Sequence, residues 1–178
     1  MPTPHNVLEN VHKSFGPKNL LKGFNVSVGK GRSLVFICGS GSGKSVKLYC
    51  ILGLLHPEKG SIRVNDQEIT GLIGHALDQM MGRFGMLFQG AALFDSLSVW
   101  RNVAFGLIQG KKMKPTEARA IAIDKLAEVG LGAELADISP AELSGGMRKR
   151  VGLARAIAPE PEIIFFDEPT TGLDPIMG

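Results

Sequence analysis

Two stretches decide the fold of this chain: Leu143-Ser144-Gly145-Gly146-Met147 and Ile163-Ile164-Phe165-Phe166-Asp167-Glu168-Pro169. In the first, small residues begin a helix that we predict over residues 145–158, and the backbone amides at its start are exposed. The second contains a short apolar run that is typical of a buried central strand. Two acidic residues follow this run at the carboxyl end of the strand, where open α/β sheets bind ligands. The two stretches therefore indicate an α/β fold with a ligand site.

A glycine-rich stretch, Gly39-Ser40-Gly41-Ser42-Gly43-Lys44-Ser45, lies between an apolar run at residues 34–37 and a predicted helix over residues 44–55. Successive glycines let backbone amides turn inward around an anion, and the positive end of the following helix points at the same place. Lys44 can reach the β and γ phosphates of a nucleotide, and the hydroxyl of Ser45 can bind magnesium. The alternative is a flexible glycine loop before an ordinary helix. The order of strand, loop and helix favours a phosphate site.

The two acidic residues after the apolar run have different expected roles. Asp167 would hold magnesium, either directly or through water. Glu168 is placed to orient and deprotonate an attacking water, a role that needs an acceptor within hydrogen-bond reach. The alternative is a pair of solvated acids that cap a strand, and it explains the sequence less well once a phosphate loop is present. We therefore predict that a bound phosphate is hydrolysed here.

Cys38 stands where the pattern G-x-x-x-x-G-K-[ST] begins with a glycine. A Cβ atom at this position crowds a turn that glycine tolerates, because a positive backbone φ costs a non-glycine residue about 1–2 kcal/mol. We expect weaker nucleotide binding rather than none. A redox role for the Cys38 thiol is the alternative.

Composition and charge exclude several classes of protein. The chain has 178 residues, 44% of them hydrophobic, so we expect a folded domain rather than disorder. No apolar run reaches the roughly 18 residues of a membrane span. Residues 1–10 lack the apolar run of a signal peptide, so we expect a cytoplasmic protein with two reduced thiols, Cys38 and Cys50. The net charge of +3 comes with basic clusters at residues 111–114 and 148–150, which we interpret as solvated faces rather than a nucleic-acid interface.

Hydrophobic periodicity places helices and strands along the rest of the chain. Residues 116–129 carry apolar residues at spacings of three and four, which predicts a helix that ends at Gly130. The segment at residues 71–82 stays unassigned. We predict strands at residues 7–11, 25–28, 34–37, 61–64, 84–88 and 163–166. The helical face consists of Ala118, Ile121, Ala122, Leu126 and Val129.

The glycine-rich loop, the serine-glycine-glycine stretch and the acidic strand end together resemble the ATPases of ATP-binding cassette (ABC) transporters, and the resemblance spans residues 7–178. It implies an α/β P-loop NTPase fold: a RecA-like core sheet with an N-terminal antiparallel β part and an inserted α-helical subdomain. It also implies a single domain over residues 1–178. The nucleotide-binding core would comprise residues 1–90 and 159–178, and the helical subdomain with the signature loop and helix about residues 91–158.

The resemblance assigns further roles around bound ATP and Mg²⁺. Glu168 matches the catalytic glutamate, and Gln89 matches the Q-loop glutamine, which senses magnesium and the γ phosphate and links the core to the helical insert. Asp174 lies in the stretch that matches the D-loop. Phe15 matches the A-loop aromatic residue that stacks on adenine. The alternatives are a plain polar loop residue for Gln89 and a core residue for Phe15.

Ser144, Gly145 and Gly146 offer amides suited to a γ phosphate that approaches from outside the chain. In the resembling family this loop closes on the nucleotide held by a second subunit. The resemblance therefore implies a head-to-tail homodimer with ATP at its interface. The family's switch histidine follows the D-loop, whereas the four histidines here precede the acidic strand. We accordingly expect that a C-terminal part of the core is missing from this chain, or that the ATPase is defective.

Residues 85–99 and 170–176 resemble the ATPase of maintenance-of-lipid-asymmetry (Mla) systems, also called toluene-tolerance transporters. This resemblance implies a peripheral protein on the cytoplasmic face of the bacterial inner membrane. It would energise phospholipid transport by a membrane permease. A periplasmic MCE lipid-binding protein would be a further partner, connected to the ATPase by the permease. Amino-acid importers more often carry a Pro-His pair where this chain has Asp95-Ser96. Three alternatives stay open: such an importer, a binding module that does not hydrolyse ATP, and an ABC ATPase outside transport.

Residues 94–105, with Trp100 and Arg101, lie where members of the family dock the coupling helix of the permease. Trp100 is expected at the surface if this region is a docking site. The alternative is a hydrophobic helix start that packs within the helical insert.

Overall fold

The computed structural model describes residues 4–35 and 44–167, with side chains for residues 7–35 and 46–167. Its contacts divide the chain into two units, residues 1–81 and 82–178. Unit 1 contains β1 Pro4–Phe15, β2 Lys18–Gly29, α1 Lys44–Ile51, β3 Lys59–Val64, β4 Gln67–Glu68 and α2 Gly74–Met81. Unit 2 contains β5 Phe84–Leu87, α3 Val99–Val103, α4 Phe105–Gln109, α5 Pro115–Glu128, α6 Gly145–Ile157 and β6 Ile163–Phe166. The mixed α/β class is confirmed, and the single domain over residues 1–178 stays a prediction.

Unit 1 is built on an antiparallel sheet with the strand order β2-β1-β3-β4. Phe15 pairs with Lys18 across a two-residue hairpin turn. Gly16 has φ +55° in this turn, which a glycine adopts without strain. The predicted strands at residues 7–11, 25–28 and 61–64 lie within β1, β2 and β3, so the N-terminal antiparallel β part is confirmed. One face is buried through Leu8, Val11, Leu21, Ile62 and Val64.

Helix α1 begins at Lys44, as predicted, but it ends at Ile51 rather than near residue 55. Gly53 has φ +67° and donates its N–H to the Cys50 carbonyl at 3.2 Å, while Leu54 donates to the Tyr49 carbonyl at 2.9 Å. This pair of bonds is a Schellman motif, which closes a helix with a left-handed glycine. The left-handed Gly53 therefore ends the helix before the predicted end at residue 55.

The predicted strand at residues 34–37 is wrong for its described part. Leu34 and Val35 belong to no strand, and Val35 is 76% exposed. A strand needs a neighbour to pair its backbone groups, and the unit 1 sheet pairs residues 34 and 35 with none of its four strands. Residues 36 and 37 lie outside the described part of the chain. The unassigned segment at residues 71–82 contains α2.

Unit 2 combines a parallel pair of strands with a cluster of helices. Strands β5 and β6 pair in register from Phe84 with Ile163 to Leu87 with Phe166. Helices α3, α5 and α6 pack around one apolar core. The predicted helix at residues 116–129 is confirmed as α5, and three members of its predicted face, Ala118, Ala122 and Leu126, are fully buried. Gly130 has φ +70° and ends the helix.

Strand β6 is less buried than the sequence predicts. The side chains of residues 163–165 are half-buried, and Phe166 is 51% exposed. In the described structure β6 pairs with β5 alone, so the two-strand sheet does not enclose it on both sides. An edge-to-face contact between Phe84 and Phe165, at 5.4 Å between ring centroids, covers part of the strand.

Trp100 is also placed differently from the expectation for a docking surface. It is only 9% exposed and packs in the helical core, so for this residue the alternative of packing within the insert is confirmed. Phe94 and Phe105 are the exposed aromatic residues of the segment, with ring centroids 4.6 Å apart. None of the helices in the described ranges combines the length and apolar character needed to cross a membrane.

Asn102 fixes the segment that leads into α3. It is fully buried, and its amide donates to the carbonyls of Phe94, Leu97 and Ser98 at 3.0 to 3.1 Å. Its carbonyl accepts the N–H of Phe94 at 2.8 Å. A single buried side chain thus bonds four backbone groups of the segment before α3, and its own polar atoms are satisfied, as buried polar groups require.

We expect Asn102→Leu to lower the free energy of unfolding by about 2–4 kcal/mol, because leucine has a similar size but removes all four bonds and leaves the Phe94 N–H and the Leu97 carbonyl without this partner. Urea unfolding of the purified chain measures the change. The matched control is Gln109→Leu, an exposed amide on α4, for which a change within about 0.5 kcal/mol is expected. Equal effects of the two substitutions would contradict the role of Asn102.

Candidate functional site

A short 3-10 turn at Pro140–Glu142 prepares the serine-glycine-glycine loop. Ser139 accepts the N–H of Ala141 at 3.3 Å, and Glu142 accepts the N–H of Ser139 at 2.8 Å. This reciprocal pair is a capping box, written in the sequence as a serine followed three residues later by a glutamate. The turn delivers Leu143, only 3% exposed, into the helical core. The burial of Leu143 therefore fixes the position of the next residue, Ser144, which is exposed to solvent.

Ser144 is the N-cap of α6. Its backbone is extended, and its Oγ accepts the N–H of Met147 at 3.2 Å. The N–H groups of Gly145 and Gly146 belong to the first helical turn, where no intrahelical acceptor exists. Both glycines are exposed, and a Cβ atom built on either meets no other atom within 4 Å. The loop therefore presents two free amides and the positive end of a helix to open space.

The carboxyl ends of β5 and β6 form a second part of the site. Asp167 donates its N–H to the Leu87 carbonyl at 2.9 Å, one step beyond the last paired residues of the two strands. Gln89 follows Leu87 by two residues and is exposed. Parallel pairing thus brings Gln89 and Asp167, which the sequence predicted as partners around magnesium, to one edge of the sheet. Carboxylate and amide oxygens are hard donors that suit Mg²⁺.

The turn after β5 has an unusual backbone. Ala91 donates its N–H to the Phe88 carbonyl at 2.9 Å, and three successive residues have positive φ: Gly90 at 70°, Ala91 at 67° and Ala92 at 44°. For the two alanines this conformation costs on the order of 1 kcal/mol each. A turn of this kind persists only where its surroundings hold it in place.

Arg155 of α6 holds this turn. Its guanidinium donates to the Ala91 carbonyl at 2.7 Å and to the Ala92 carbonyl at 2.9 Å. Burial lowers the pKa of the guanidinium, which nevertheless stays charged because arginine does not deprotonate in proteins. We did not predict a role for Arg155 from the sequence. The available signal was its position as the one cation within the apolar run at residues 151–157.

Gly152 allows α6 to approach the same turn closely. A Cβ atom at Gly152 would lie 2.8 Å from the Cβ of Ala91 and 3.0 Å from a methyl group of Leu87. Gly85 serves the same purpose on β5, because its Cβ would lie 2.5 Å from the Ala156 carbonyl oxygen. Helix α6 and strand β5 are therefore in backbone contact, and α6 connects the serine-glycine-glycine loop to the turn that carries Gln89.

The phosphate-loop residues divide between described and undescribed parts of the chain. Lys44 and Ser45 form the first turn of α1, in agreement with a loop that feeds a helix N-terminus. Cys38 and the stretch Gly39-Ser40-Gly41-Ser42-Gly43 lie outside the described residues. So do Glu168 and Asp174, so their roles stay predictions.

Phe15 ends β1 at the tip of the first hairpin. It is 48% exposed, which rules out the core alternative for this side chain. The Lys13 ammonium lies 5.5 Å from the centre of its ring. An exposed ring at a hairpin tip is available for stacking on a flat ligand.

The fold and these motifs agree with comparisons of sequence. The sequence pattern of the family described as ABC transporter matches residues 21–171. The chain therefore belongs to the ABC transporter family, as the loop, signature and acidic-strand motifs predicted.

Several curated relatives are similar to this chain over almost its whole length. The probable ribonucleotide transport ATP-binding protein mkl of Mycobacterium tuberculosis is 44% identical over 92% of the chain. The intermembrane phospholipid transport system ATP-binding protein MlaF of Haemophilus influenzae is 41% identical over 96%. The L-cystine import ATP-binding protein TcyN of Bacillus subtilis is 39% identical over 94%. The chain spans 45% of the length of mkl and 65% of the lengths of MlaF and TcyN.

A solved structure has the same fold. It is a dimeric ATP-binding cassette in a post-hydrolysis state, bound to ADP and Pi, and it superposes with a TM-score of 0.86 at 32% identity. The match covers 96% of this chain and 77% of that chain. The predicted P-loop NTPase fold is thereby confirmed as that of an ABC ATPase cassette.

We expect Ser144→Ala to lower the free energy of unfolding by about 1 kcal/mol, since it removes the cap of the Met147 N–H. Ser144→Asp should stay within about 0.5 kcal/mol of the native chain, because aspartate caps equally well and suits the positive helix end. Urea unfolding distinguishes the two. If both variants lose the same stability, the hydroxyl of Ser144 is not acting as a cap.

Proposed function

We propose that this chain is the ATP-binding and ATP-hydrolysing subunit of an ABC transporter. The observation that supports this most directly is the bond between the Asp167 N–H and the Leu87 carbonyl. It places the acidic strand end beside the turn of Gln89, at the edge of a parallel sheet where α/β proteins bind ligands. The exposed amides at the start of α6 supply a further phosphate-binding element.

Each motif has a distinct task in this proposal. Backbone amides of Gly39-Ser40-Gly41-Ser42-Gly43 surround the phosphates, and Lys44 neutralises the β and γ phosphates as a point charge. Glu168 orients and deprotonates the attacking water, and Gln89 senses magnesium and the γ phosphate. Phe15 stacks on the adenine ring.

We infer that magnesium has Ser45, Gln89 and Asp167 as its protein ligands. Mg²⁺ uses few carboxylates and completes its shell with substrate phosphates and water. When bound, it would neutralise the charge that develops between the β and γ phosphates. The carboxylate of Asp167 and the amide oxygen of Gln89 fit this requirement.

The signature residues Ser144, Gly145 and Gly146 act on the nucleotide of a second subunit. All three residues are exposed, and the amides of the two glycines belong to the first turn of α6, which supports contact with a γ phosphate that arrives from outside the chain. We therefore infer a head-to-tail homodimer with ATP in its interface, to which Asp174 contributes. A membrane permease is the other partner, and the subunit would lie on the cytoplasmic face of the inner membrane.

For the cargo we propose phospholipid, moved by an Mla-type system with a periplasmic MCE protein beyond the permease. The similarity to MlaF and the sequence of residues 85–99 support this choice. The similarity to TcyN keeps an amino-acid importer as the alternative. Purification of the chain with its native permease distinguishes them, because phospholipid bound to the permease favours the first and cystine-stimulated turnover favours the second.

We expect the purified chain to bind Mg-ATP and release phosphate, and both Lys44→Ala and Glu168→Gln to abolish the release. The two substitutions should differ in their effect on ATP binding. Lys44→Ala loses a phosphate contact and weakens ATP affinity about 10-fold or more, whereas Glu168→Gln should keep the native ATP affinity. Phosphate release and displacement of a fluorescent nucleotide give the two readings.

Binding without release in the native chain would replace this proposal by a nucleotide-binding module that does not hydrolyse ATP. Absence of binding in all three proteins would refute a nucleotide site altogether. Urea unfolding of each variant serves as the control for folding.

The proposed dimer predicts a separate result. With Glu168→Gln, ATP is bound but not consumed, so dimer should accumulate when ATP is added. Adding Ser144→Asp should prevent the dimer, because a carboxylate at the signature loop repels the γ phosphate while the helix cap is kept. Sedimentation velocity measures both states.

The matched control is Thr116→Asp, which puts the same charge on the exposed start of α5. It should leave ATP-dependent dimerisation unchanged. Dimer formation that survives Ser144→Asp would contradict the proposed contact between the signature loop and the phosphate.

A further inference from the structure

Arg155 joins two parts of the proposed site that lie far apart in the sequence. It lies on α6, eleven residues after the cap Ser144, and it bonds the carbonyls of Ala91 and Ala92 immediately after Gln89. The sequence separations of these two bonds are 64 and 63 residues. No local rule of helix or turn formation brings these groups together.

The carbonyls that Arg155 binds belong to the strained part of the turn. Ala91 and Ala92 both have positive φ, which directs their two successive carbonyls toward the same guanidinium. The planar fork of arginine donates to two acceptors at once, and this geometry is not available to a lysine ammonium. The charge also stays in place, because the guanidinium does not deprotonate in proteins.

The same side chain extends the connection to the helical core. The guanidinium lies 5.7 Å from the ring centre of Phe94. The backbone of Phe94 is in turn held by Asn102 through both its N–H and its carbonyl. Arg155 therefore connects the turn after Gln89 to the segment that Asn102 holds.

We propose that Arg155 is a positioning residue of the ATPase: by binding the Ala91 and Ala92 carbonyls from the signature helix, it sets the position of Gln89 at the nucleotide site. This inference rests on the proposed ATP hydrolysis for its kinetic consequence. Its structural consequence is independent of catalysis. In this proposal a displacement of the signature loop is transmitted along α6 to the Gln89 turn with Arg155 as a hydrogen-bonded link, beside the close packing at Gly152.

Hydrogen–deuterium exchange tests the structural consequence without any need for turnover. In Arg155→Met, peptides that cover residues 88–94 should exchange at least about 10-fold faster, while peptides from α5 and from β1–β2 keep their native rates. Arg155→Lys should lie between the two, because it keeps the charge and the aliphatic stem but loses the fork. This second variant also preserves the test if Arg155→Met does not fold.

The matched control is Arg150→Met on the same helix. Arg150 donates to one backbone carbonyl, that of Gly130, at 3.0 Å. Its loss should affect exchange near Gly130 and leave residues 88–94 unchanged. Native exchange at residues 88–94 in both Arg155 variants would overturn the proposal.

A double-mutant cycle tests the kinetic consequence. Arg155→Met should lower kcat about 10-fold, as removal of a supporting residue typically does, with KM for ATP changed less than about twofold. Added to Gln89→Ala, it should lower kcat by less than about twofold, because the residue that it positions is already absent. A further loss of about 10-fold in the double variant would show independent effects and overturn the proposal.

The proposed ATP hydrolysis and the proposed role of Arg155 are refuted by different results. If the native chain hydrolyses no ATP, the proposed function fails, and the exchange measurement still decides whether Arg155 holds the turn. If the native chain is active but the two substitutions are additive, the proposed function stands and the role of Arg155 does not.

Discussion

The arrangement of unit 2 depends on the parallel pairing of β5 with β6. Parallel strands end at the same edge of a sheet, so the residues that follow each strand become neighbours. The bond from the Asp167 N–H to the Leu87 carbonyl continues this ladder past the last pair. Such strands also need a long crossover, and here the crossover consists of α3 to α6. The helical part of the unit is thus the connection that makes the site possible, and its core aligns the two strand ends.

Helix α6 connects the parts of the proposed site. From Ser144 to Arg155 it extends about 16 Å as one hydrogen-bonded rod. Because Gly152 has no Cβ atom, the helix can approach the turn after β5 closely. Tight packing of this kind transmits displacement because neighbouring atoms have no free space to absorb it. Helix α6 accordingly begins at the signature loop and contacts the Gln89 turn near its other end, which is the arrangement that the proposed role of Arg155 requires.

Many local features could be predicted because their causes lie within a few residues. The apolar spacing of α5, its left-handed end at Gly130 and the serine cap of α6 were each visible in short windows of sequence, and the structure has them. Predictions that depended on distant neighbours were less successful. Residues 34 and 35 have the composition of a strand but no pairing partner among the strands of unit 1. For Trp100 the sequence left surface docking and packing within the insert open, and only the structure shows that it lies in the helical core.

The sequence by itself predicted the chemistry that we propose for this protein: the glycine loop, Lys44, the acidic pair after β6 and the signature stretch are contiguous motifs whose proposed roles follow from residue type and spacing. Only the tertiary structure decided how the motifs of unit 2 are connected. Asp167 bonds a residue 80 positions away, and Arg155 bonds two carbonyls more than 60 positions away. The physical reason is that caps, turns and periodic faces involve atoms within one or two helical turns, whereas these bonds require the folded core to bring their partners together.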